Sequence, residues 1–125
     1  MIRPTRAVLI TGSRKGIGRY LSEHFLNLGD RVIGCSRSNT DLKHDNYTHF
    51  CLDVSDENEV KKMVSFIRKS FGHIDVLINN AGVASMNHYL LTPKSTVEKL
   101  FNTNVVGTFL FSRELAKLMS KNKEG

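Results

Sequence analysis

Short runs of apolar residues alternate with longer segments of helical periodicity along most of this chain. The apolar runs lie at residues 6–11, 31–36, 47–53 and 75–79, and their length and content of Val, Ile and Leu predict β-strands. Strands that alternate with helices imply an α/β fold with a parallel sheet and right-handed crossovers. We expect a doubly wound sheet of strand order 3-2-1-4, with a ligand beyond the carboxyl ends of strands one and four.

Two helices are predicted where apolar residues recur every three or four positions. The first follows strand one and ends at Gly29, and the second follows strand three and ends at Gly72. Ser55 is the expected N-cap of the second helix, and the polar residues 40–46 predict a surface loop. The expected apolar stripes are Ile17, Leu21, Phe25 and Leu28, and then Val60, Met63, Val64, Ile67 and Phe71.

A third helical region is predicted from about Lys94 to Asn122, after a loop that ends at Pro93. Because its apolar residues wrap past a single stripe, we expect this region to be buried on more than one side. Strand four is apolar on both faces, as central parallel strands tend to be. An apolar unpaired edge promotes association, so we expect either a continuation past Gly125 or a second copy to cover these surfaces.

The amino-acid composition is that of a single globular domain over residues 1–125. We expect this domain to be incomplete. The 125 residues are 40% hydrophobic and 24% charged, and neither a bilayer-spanning run nor a signal-peptide core is evident. We therefore expect a cytoplasmic protein without a membrane partner. The net charge of +6 is spread along the chain and is densest at residues 117–123, which favours a solvated helix end over a nucleic-acid surface.

The cysteines and histidines predict no metal site. Cys35 and Cys51 both fall in predicted strands and lack the spacing of metal ligands. We expect both to be buried free thiols.

A glycine-rich turn joins strand one to the first helix. Residues 11–18 read Thr-Gly-Ser-Arg-Lys-Gly-Ile-Gly. Free N–H groups and the positive dipole at a helix N-terminus favour an anion such as pyrophosphate. The glycine spacing differs from both the Gly-x-Gly-x-x-Gly fingerprint and the phosphate loop that ends in Gly-Lys-Ser/Thr. The turn alone therefore leaves open nucleotide binding and a plain connection between a buried strand and a helix.

Four motifs together resemble the short-chain dehydrogenase/reductase family. They are Thr-Gly-x-x-x-Gly-Ile-Gly at 11–18, Leu-Asp-Val at 52–54, Asn-Asn-Ala-Gly at 79–82 and Asn-Val-Val-Gly at 104–107. They cover essentially the whole chain but only the N-terminal half of the family's usual fold. The resemblance implies a Rossmann-like sheet, truncated before the later strands, that binds NAD or NADP and acts on small carbonyl or alcohol substrates.

The resemblance also implies a role for each matching position. Gly12, Gly16, Ile17 and Gly18 would form the loop on the pyrophosphate side. Residues 53–54 would contact the adenine, and residues 80–82 would lie beside the riboses. Asn104 matches the helix asparagine that holds a water in the family's proton relay, although a plain bond to backbone is the alternative. The predicted site comprises Asn104 as catalytic residue and, as cofactor-binding residues, Thr11, Gly12, Arg14, Lys15, Gly16, Ile17, Gly18, Ser36, Arg37, Asp53, Val54, Asn80, Ala81 and Gly82.

Charge at the end of strand two predicts the cofactor. NAD-type sites place an acidic residue there for the ribose 2′-hydroxyl, whereas this chain reads Cys-Ser-Arg at residues 35–37. The Arg37 guanidinium suits a 2′-phosphate, and Lys15 could supply a second cation. We therefore predict NADP(H), the alternative being that both residues are solvated surface charges.

The family's catalytic Tyr, its Lys four positions later and its Ser are not found in this sequence. Tyr20, Tyr47 and Tyr89 are followed at that spacing by His, Cys and Pro. We thus expect the cofactor-binding half of an oxidoreductase, with a non-catalytic NADP-binding module as the second hypothesis and a basic nucleic-acid-binding protein as the third. In the family the last helix packs on its symmetry mate, so a homo-oligomer through this helix and the strand-four edge is expected.

Overall fold

A computed structural model describes residues 3–121. The elements are β1 (Ala7–Thr11), α1 (Gly16–Asn27), β2 (Arg31–Ser36), β3 (Tyr47–Cys51), α2 (Glu57–Ser70), β4 (Val76–Ile78), a 3-10 turn (Tyr89–Leu91), α3 (Lys94–Phe101), a π-helical turn (Asn102–Val106) and α4 (Gly107–Met119). All the predicted strands are present, and the polar loop between β2 and β3 is confirmed.

The strands form one parallel sheet of order β3-β2-β1-β4, which confirms the predicted topology. In the register, Val8 of β1 lies beside Val32 of β2 and Val76 of β4. Strand β4 is half-buried and lies at the sheet edge. Because parallel strands end at the same edge, the turns after β1, β2 and β4 open side by side.

Helices cover both faces of this sheet. On one face, Val8, Ile10 and Val32 pack against α1 through Leu26. On the other, Leu9, Ile33 and Ala7 pack against α2 and α4. The largest fully buried side chain is Phe111 of α4. All five residues of β1 are buried because both of its faces are covered, which explains why they are apolar apart from the final threonine.

Helices α1 and α2 are each terminated by a glycine, as predicted, but two other predictions about these helices are wrong, namely the N-cap of α2 and the ends of the α1 stripe. Gly29 and Gly72 have φ of 88° and 80°, the left-handed conformation that ends a helix. The N-cap of α2 is Asp56, which accepts from the Glu59 N–H at 3.1 Å, and not Ser55. Ser55 instead donates its backbone N–H and its hydroxyl to the Asp53 carboxylate.

The predicted stripe of α1 is correct in its middle, where Leu21 and Phe25 pack half-buried against the core, but wrong at both ends. Ile17 and Leu28 are exposed, whereas Gly18, Ser22 and Leu26 are the buried residues of this helix. The small residues Gly18 and Ser22 allow α1 to approach the sheet closely, so the buried face of this helix includes positions that the hydrophobic pattern does not mark. In α2 the predicted residues Val60 and Ile67 are buried as expected.

The third helical region is interrupted. A π-helical turn separates α3 from α4, and Asn122, the predicted end, lies outside the described residues. Within this single chain an outer stripe of the region is exposed, and this is apolar surface that a second copy or a continuation of the chain is expected to cover. This stripe, which we call the α3–α4 stripe, consists of Val97, Phe101, Val105 and Phe109, each four residues from the next.

The two cysteines differ in environment. Cys35 is buried and free, as predicted, but Cys51 is exposed at the end of β3. The difference arises because β3 is an edge strand. Burial raises the pKa of the Cys35 thiol to about 12. In residues 3–121, no three potential ligands gather for a metal ion, and no helix is long and apolar enough to cross a bilayer.

We expect a single thiol to react in the folded protein. Iodoacetamide at pH 8 should alkylate Cys51, while Cys35 stays protected because its thiolate is disfavoured and buried. Mass spectrometry before and after unfolding in guanidinium measures the number of adducts, and Cys51→Ser serves as the control without native labelling. Rapid labelling of both thiols in the native state would contradict the placement of β2.

Candidate functional site

A cavity of about 440 Å³ opens at the sheet edge where β1, β2 and β4 end. Its wall is contributed by the glycine turn, the turn after β2, the ends of β3 and β4, and the π-helical turn. The lining residues are Gly12, Arg14, Lys15, Ser36, Arg37, Ser38, Leu52, Val54, Asn80, Ala81, Gly82, Val83 and Thr103. The cavity therefore lies where a doubly wound sheet places a ligand.

The glycine turn has a conformation that requires glycine at particular positions. Gly12 and Gly16 have φ of 65° and 61°, in the left-handed region. At Gly18 a Cβ would overlap the Gly12 carbonyl oxygen and the Asn80 amide. Gly18 thus lets α1 begin directly against the turn, and the N-terminus of α1 lies beside the cavity.

The N-terminus of α1 carries no capping group. Lys15 occupies the N-cap position without a side-chain hydrogen bond, and the first turn contains no acidic residue. Helix α2 differs, since Asp56 caps it and Glu57 and Glu59 lie in its first turn. The first N–H groups of α1 and its positive dipole end are consequently free of a side-chain acceptor and suited to an anion.

Thr11 joins the turns after β1 and β4. Its buried hydroxyl oxygen accepts the N–H groups of Asn80 and Ala81 at 3.0 and 2.9 Å. In the reverse direction, the Asn80 side-chain amide donates to the Gly12 carbonyl at 3.1 Å. These bonds hold two walls of the cavity together, so Thr11 acts behind the wall and does not line it.

Asn104 holds a third wall. Its side-chain oxygen accepts the Val83 N–H and its amide donates to the Val83 carbonyl, both at 2.8 Å. The residue lies in the π-helical turn, a distortion that often occurs at functional sites. The Asn104 side chain is therefore bonded to the backbone of a different segment, and its catalytic role stays a prediction.

The charges around the cavity are positive. Arg37 is half-exposed and reaches Thr103 at 3.5 Å and the Asp53 carboxylate at 3.9 Å. Partial burial raises the pKa of Asp53, but the hydrogen bonds from Ser55 and the charge of Arg37 outweigh it, so the pKa lies below its usual value. Among the described residues that line the cavity, none is acidic.

The predicted site residues fall into two groups. Gly12, Arg14, Lys15, Ser36, Arg37, Val54, Asn80, Ala81 and Gly82 line the cavity. Thr11, Gly16, Ile17, Gly18, Asp53 and Asn104 lie close behind or beside it. Of this second group, Ile17 is 72% exposed on the first turn of α1.

Sequence reasoning missed four lining residues, which are Ser38, Leu52, Val83 and Thr103. Each is within two residues of a predicted one. Leu52 and Val54 line the cavity because alternate residues of an extended segment face the same side, which also directs Asp53 elsewhere. Because Val54 was a predicted site residue, this alternation could have predicted Leu52 from the sequence.

We expect Thr11→Val to lower the free energy of unfolding by about 2 kcal/mol or more, because two N–H groups lose their shared acceptor. Thr11→Ser keeps the hydroxyl and should lose about half as much or less. Urea denaturation followed by circular dichroism measures both. Equal stability of the valine variant and the wild type would show that these bonds do not join the two turns.

The chain is similar in sequence to known proteins. The family model for short chain dehydrogenase matches residues 6–125. Chlorophyll(ide) b reductase NOL, chloroplastic, of Oryza sativa subsp. japonica is 36% identical over 135 residues, covering 98% of this chain and 39% of that protein.

Two solved structures share the fold. ElxO with NADP bound has a TM-score of 0.89 at 32% identity, covering 98% of this chain and 53% of the other. A short chain dehydrogenase of Leptospira borgpetersenii with bound NAD⁺ has a TM-score of 0.89 at 24% identity, covering 94% and 47%. The chain spans about half the length of these relatives or less. With a family model that matches nearly its full length, the chain belongs to the short chain dehydrogenase family.

Proposed function

We propose that this chain is the cofactor-binding half of an NADP-dependent oxidoreductase. One observation carries the proposal: an uncapped helix N-terminus and three cationic side chains, Arg14, Lys15 and Arg37, border one cavity whose described lining contains no carboxylate. A dinucleotide with an additional phosphate matches this distribution of charge.

The cavity residues fit the parts of such a cofactor. The N-terminus of α1 and Lys15 would hold the pyrophosphate, and Leu52 and Val54 would contact the adenine. Residues 80–82 would lie beside the riboses. The bound nicotinamide supplies the hydride, while the residues of this chain bind and orient it.

The polar groups near strand β2 favour a phosphate over a hydroxyl. A ribose 2′-hydroxyl needs an acceptor such as a carboxylate. The carboxylate of Asp53, 3.9 Å from Arg37, already accepts two hydrogen bonds from Ser55 at Oδ1, at 2.9 and 2.8 Å. Arg37 offers donors that only the 2′-phosphate of NADP would use in full.

Chemistry on a carbonyl or alcohol substrate requires groups beyond those in this sequence. The chain contains no Tyr with a Lys four positions later, so we propose that turnover depends on a segment outside these residues, with Asn104 contributing to the catalytic set. The second candidate is a module that binds NADP without catalysis. Sequencing the gene beyond the Gly125 codon separates the two, since an in-frame Tyr-x-x-x-Lys supports the enzyme and an immediate stop codon the module.

A cytoplasmic location remains a prediction from the sequence, because one of the relatives is named as chloroplastic. We likewise propose no nucleic-acid partner. The basic side chains that cluster border a cavity, and Lys117 near the end of α4 pairs with Glu114 at 3.0 Å.

Cofactor titration tests the proposal. NADPH should bind about tenfold or more tightly than NADH, since one charge-assisted hydrogen bond contributes on the order of 1.5 to 3 kcal/mol. Arg37→Asp should abolish this preference, whereas Arg68→Asp, the same charge change at an exposed position outside the cavity, should preserve it. Fluorescence of the bound nicotinamide measures both affinities. Equal affinities in the wild type, or an unaltered preference in Arg37→Asp, would contradict NADP selection.

We also propose a homo-oligomer formed through the α3–α4 stripe and the edge of β4. The exposed fractions of Phe101, Val105 and Phe109 are 60%, 54% and 56%. A continuous apolar stripe and an unpaired strand edge are both kinds of surface that protein interfaces bury. A second copy of the chain would cover it by two-fold symmetry.

Phe109→Glu should shift the protein to monomers, because it places a charge at the α4 end of the stripe, where the proposed interface would bury it. Light scattering coupled to size-exclusion chromatography measures the mass. Lys99→Glu, at an exposed position of α3 outside the stripe, is the control and should keep the wild-type mass. A monomeric wild type, or an unchanged mass for Phe109→Glu, would exclude this interface.

A further inference from the structure

A chain of four polar side chains runs from the glycine turn to the cavity wall. The Ser13 hydroxyl lies 2.8 Å from the Tyr47 hydroxyl, which lies 2.7 Å from His49 Nδ1. His49 Nε2 lies 2.8 Å from the Ser36 hydroxyl. We call Ser13, Tyr47, His49 and Ser36 the His49 relay. Only Ser36 among them lines the cavity.

The backbone of β2 leaves room for this relay. Gly34 pairs with His49 in the register of β2 and β3. A Cβ on Gly34 would overlap the hydroxyl oxygens of Ser13 and Tyr47. Tyr47 and His49 are two residues apart on β3 and therefore share one face of the strand. The relay is thus built into the sheet, with a glycine at the one position where a side chain would block it.

The direction of the hydrogen bonds follows from the Ser38 carbonyl, which can only accept. It lies 2.5 Å from the Ser36 hydroxyl, which donates to it, and 3.1 Å from His49 Nε2. His49 Nε2 must therefore carry a proton, which it donates toward the Ser36 hydroxyl oxygen and the Ser38 carbonyl. In the neutral ring Nδ1 is then unprotonated and accepts a hydrogen bond from the Tyr47 hydroxyl. We assign this neutral tautomer from the hydrogen bonds around the ring, and with it each bond of the relay joins one donor to one acceptor.

Partial burial agrees with a neutral ring. It lowers the pKa of His49 below its usual value, opposed by the bond to the Ser38 carbonyl and supported by the nearby charge of Arg14. His49 therefore holds both ends of the turn at residues 36–38 through one ring nitrogen. Within residues 3–121, the polar contacts of the Arg37 side chain, which lies in the middle of this turn, are long ones of 3.5 Å to Thr103 and 3.9 Å to Asp53.

We propose that His49 is a positioning residue for cofactor selection, which fixes the turn at residues 36–38 so that Arg37 meets the 2′-phosphate of the adenosine. The inference rests on the proposed function. NADPH and NADH differ only in this phosphate. A residue that acts through Arg37 changes the ratio of the two affinities, whereas a residue that only stabilises the fold changes both alike.

The experiment compares the NADPH and NADH affinities of His49→Leu with those of the wild type, by titration of the full chain. The NADPH preference should fall about fivefold or more, with the NADH affinity within about twofold. His49→Gln retains an amide N–H donor toward Ser36 and should restore most of the preference. His24→Leu, at an exposed histidine of α1, is the matched control and should leave the ratio unchanged.

Tyr47→Phe extends the test to a variant that removes a single hydroxyl. It should lower the NADPH preference by about twofold, because His49 Nδ1 loses its hydrogen-bond donor. If circular dichroism shows that His49→Leu does not fold, Tyr47→Phe becomes the variant that tests the role of the relay. Nitrogen-15 NMR gives a second readout, since the wild-type ring should show its proton on Nε2. A proton on Nδ1 would overturn the relay.

The outcomes separate this inference from the proposed function. A wild type without NADPH preference overturns both. A wild type that loses its preference in Arg37→Asp but keeps it in the relay variants overturns the role of His49 alone. Equal weakening of both cofactors in His49→Leu also overturns it, because that result indicates a purely structural residue.

Discussion

Strand β1 is hydrogen-bonded on both sides, and the site depends on this constraint. Its register aligns Ile10 with Gly34 of β2 and Ile78 of β4, so three turns open at one edge. Parallel neighbours require crossovers, which place α1 on one face and α2 and α4 on the other. The reversal of winding at β1 leaves a gap between the turns, and the cavity occupies it.

The uncapped end of α1 has a cost that packing offsets. Its first N–H groups lack the side-chain acceptor that Asp56 gives to α2. The stability of α1 comes from its buried face against the sheet, where Gly18, Ser22 and Leu26 lie. Because tertiary packing holds the helix in place, its N-terminus can remain open to an anion.

Several polar side chains around the cavity bind backbone groups of neighbouring turns. Thr11 fixes the turn after β4, Asn104 fixes Val83, and His49 bonds Ser38. Each bond joins segments at least eleven residues apart. Residues of a family motif can therefore lie outside the cavity lining and still determine its shape, since they position the residues that form the wall.

The sequence by itself determined the strands, their order and the helix ends at Gly29 and Gly72. These features depend on local periodicity, on positive φ at glycine and on the handedness of crossovers, all of which are encoded within short segments. It also located the glycine turn and Arg37 at the cavity, because the carboxyl ends of parallel strands necessarily meet.

Only the tertiary structure decided which neighbouring residue takes each role. Asp56 caps α2 because the Ser55 hydroxyl is bonded to Asp53, and Cys51 is exposed because β3 lies at the sheet edge. The π-helical turn and the His49 relay likewise require contacts between distant segments. Hydrophobic periodicity records which face of an element is buried, but it contains no information about the partner that a polar side chain meets across the fold.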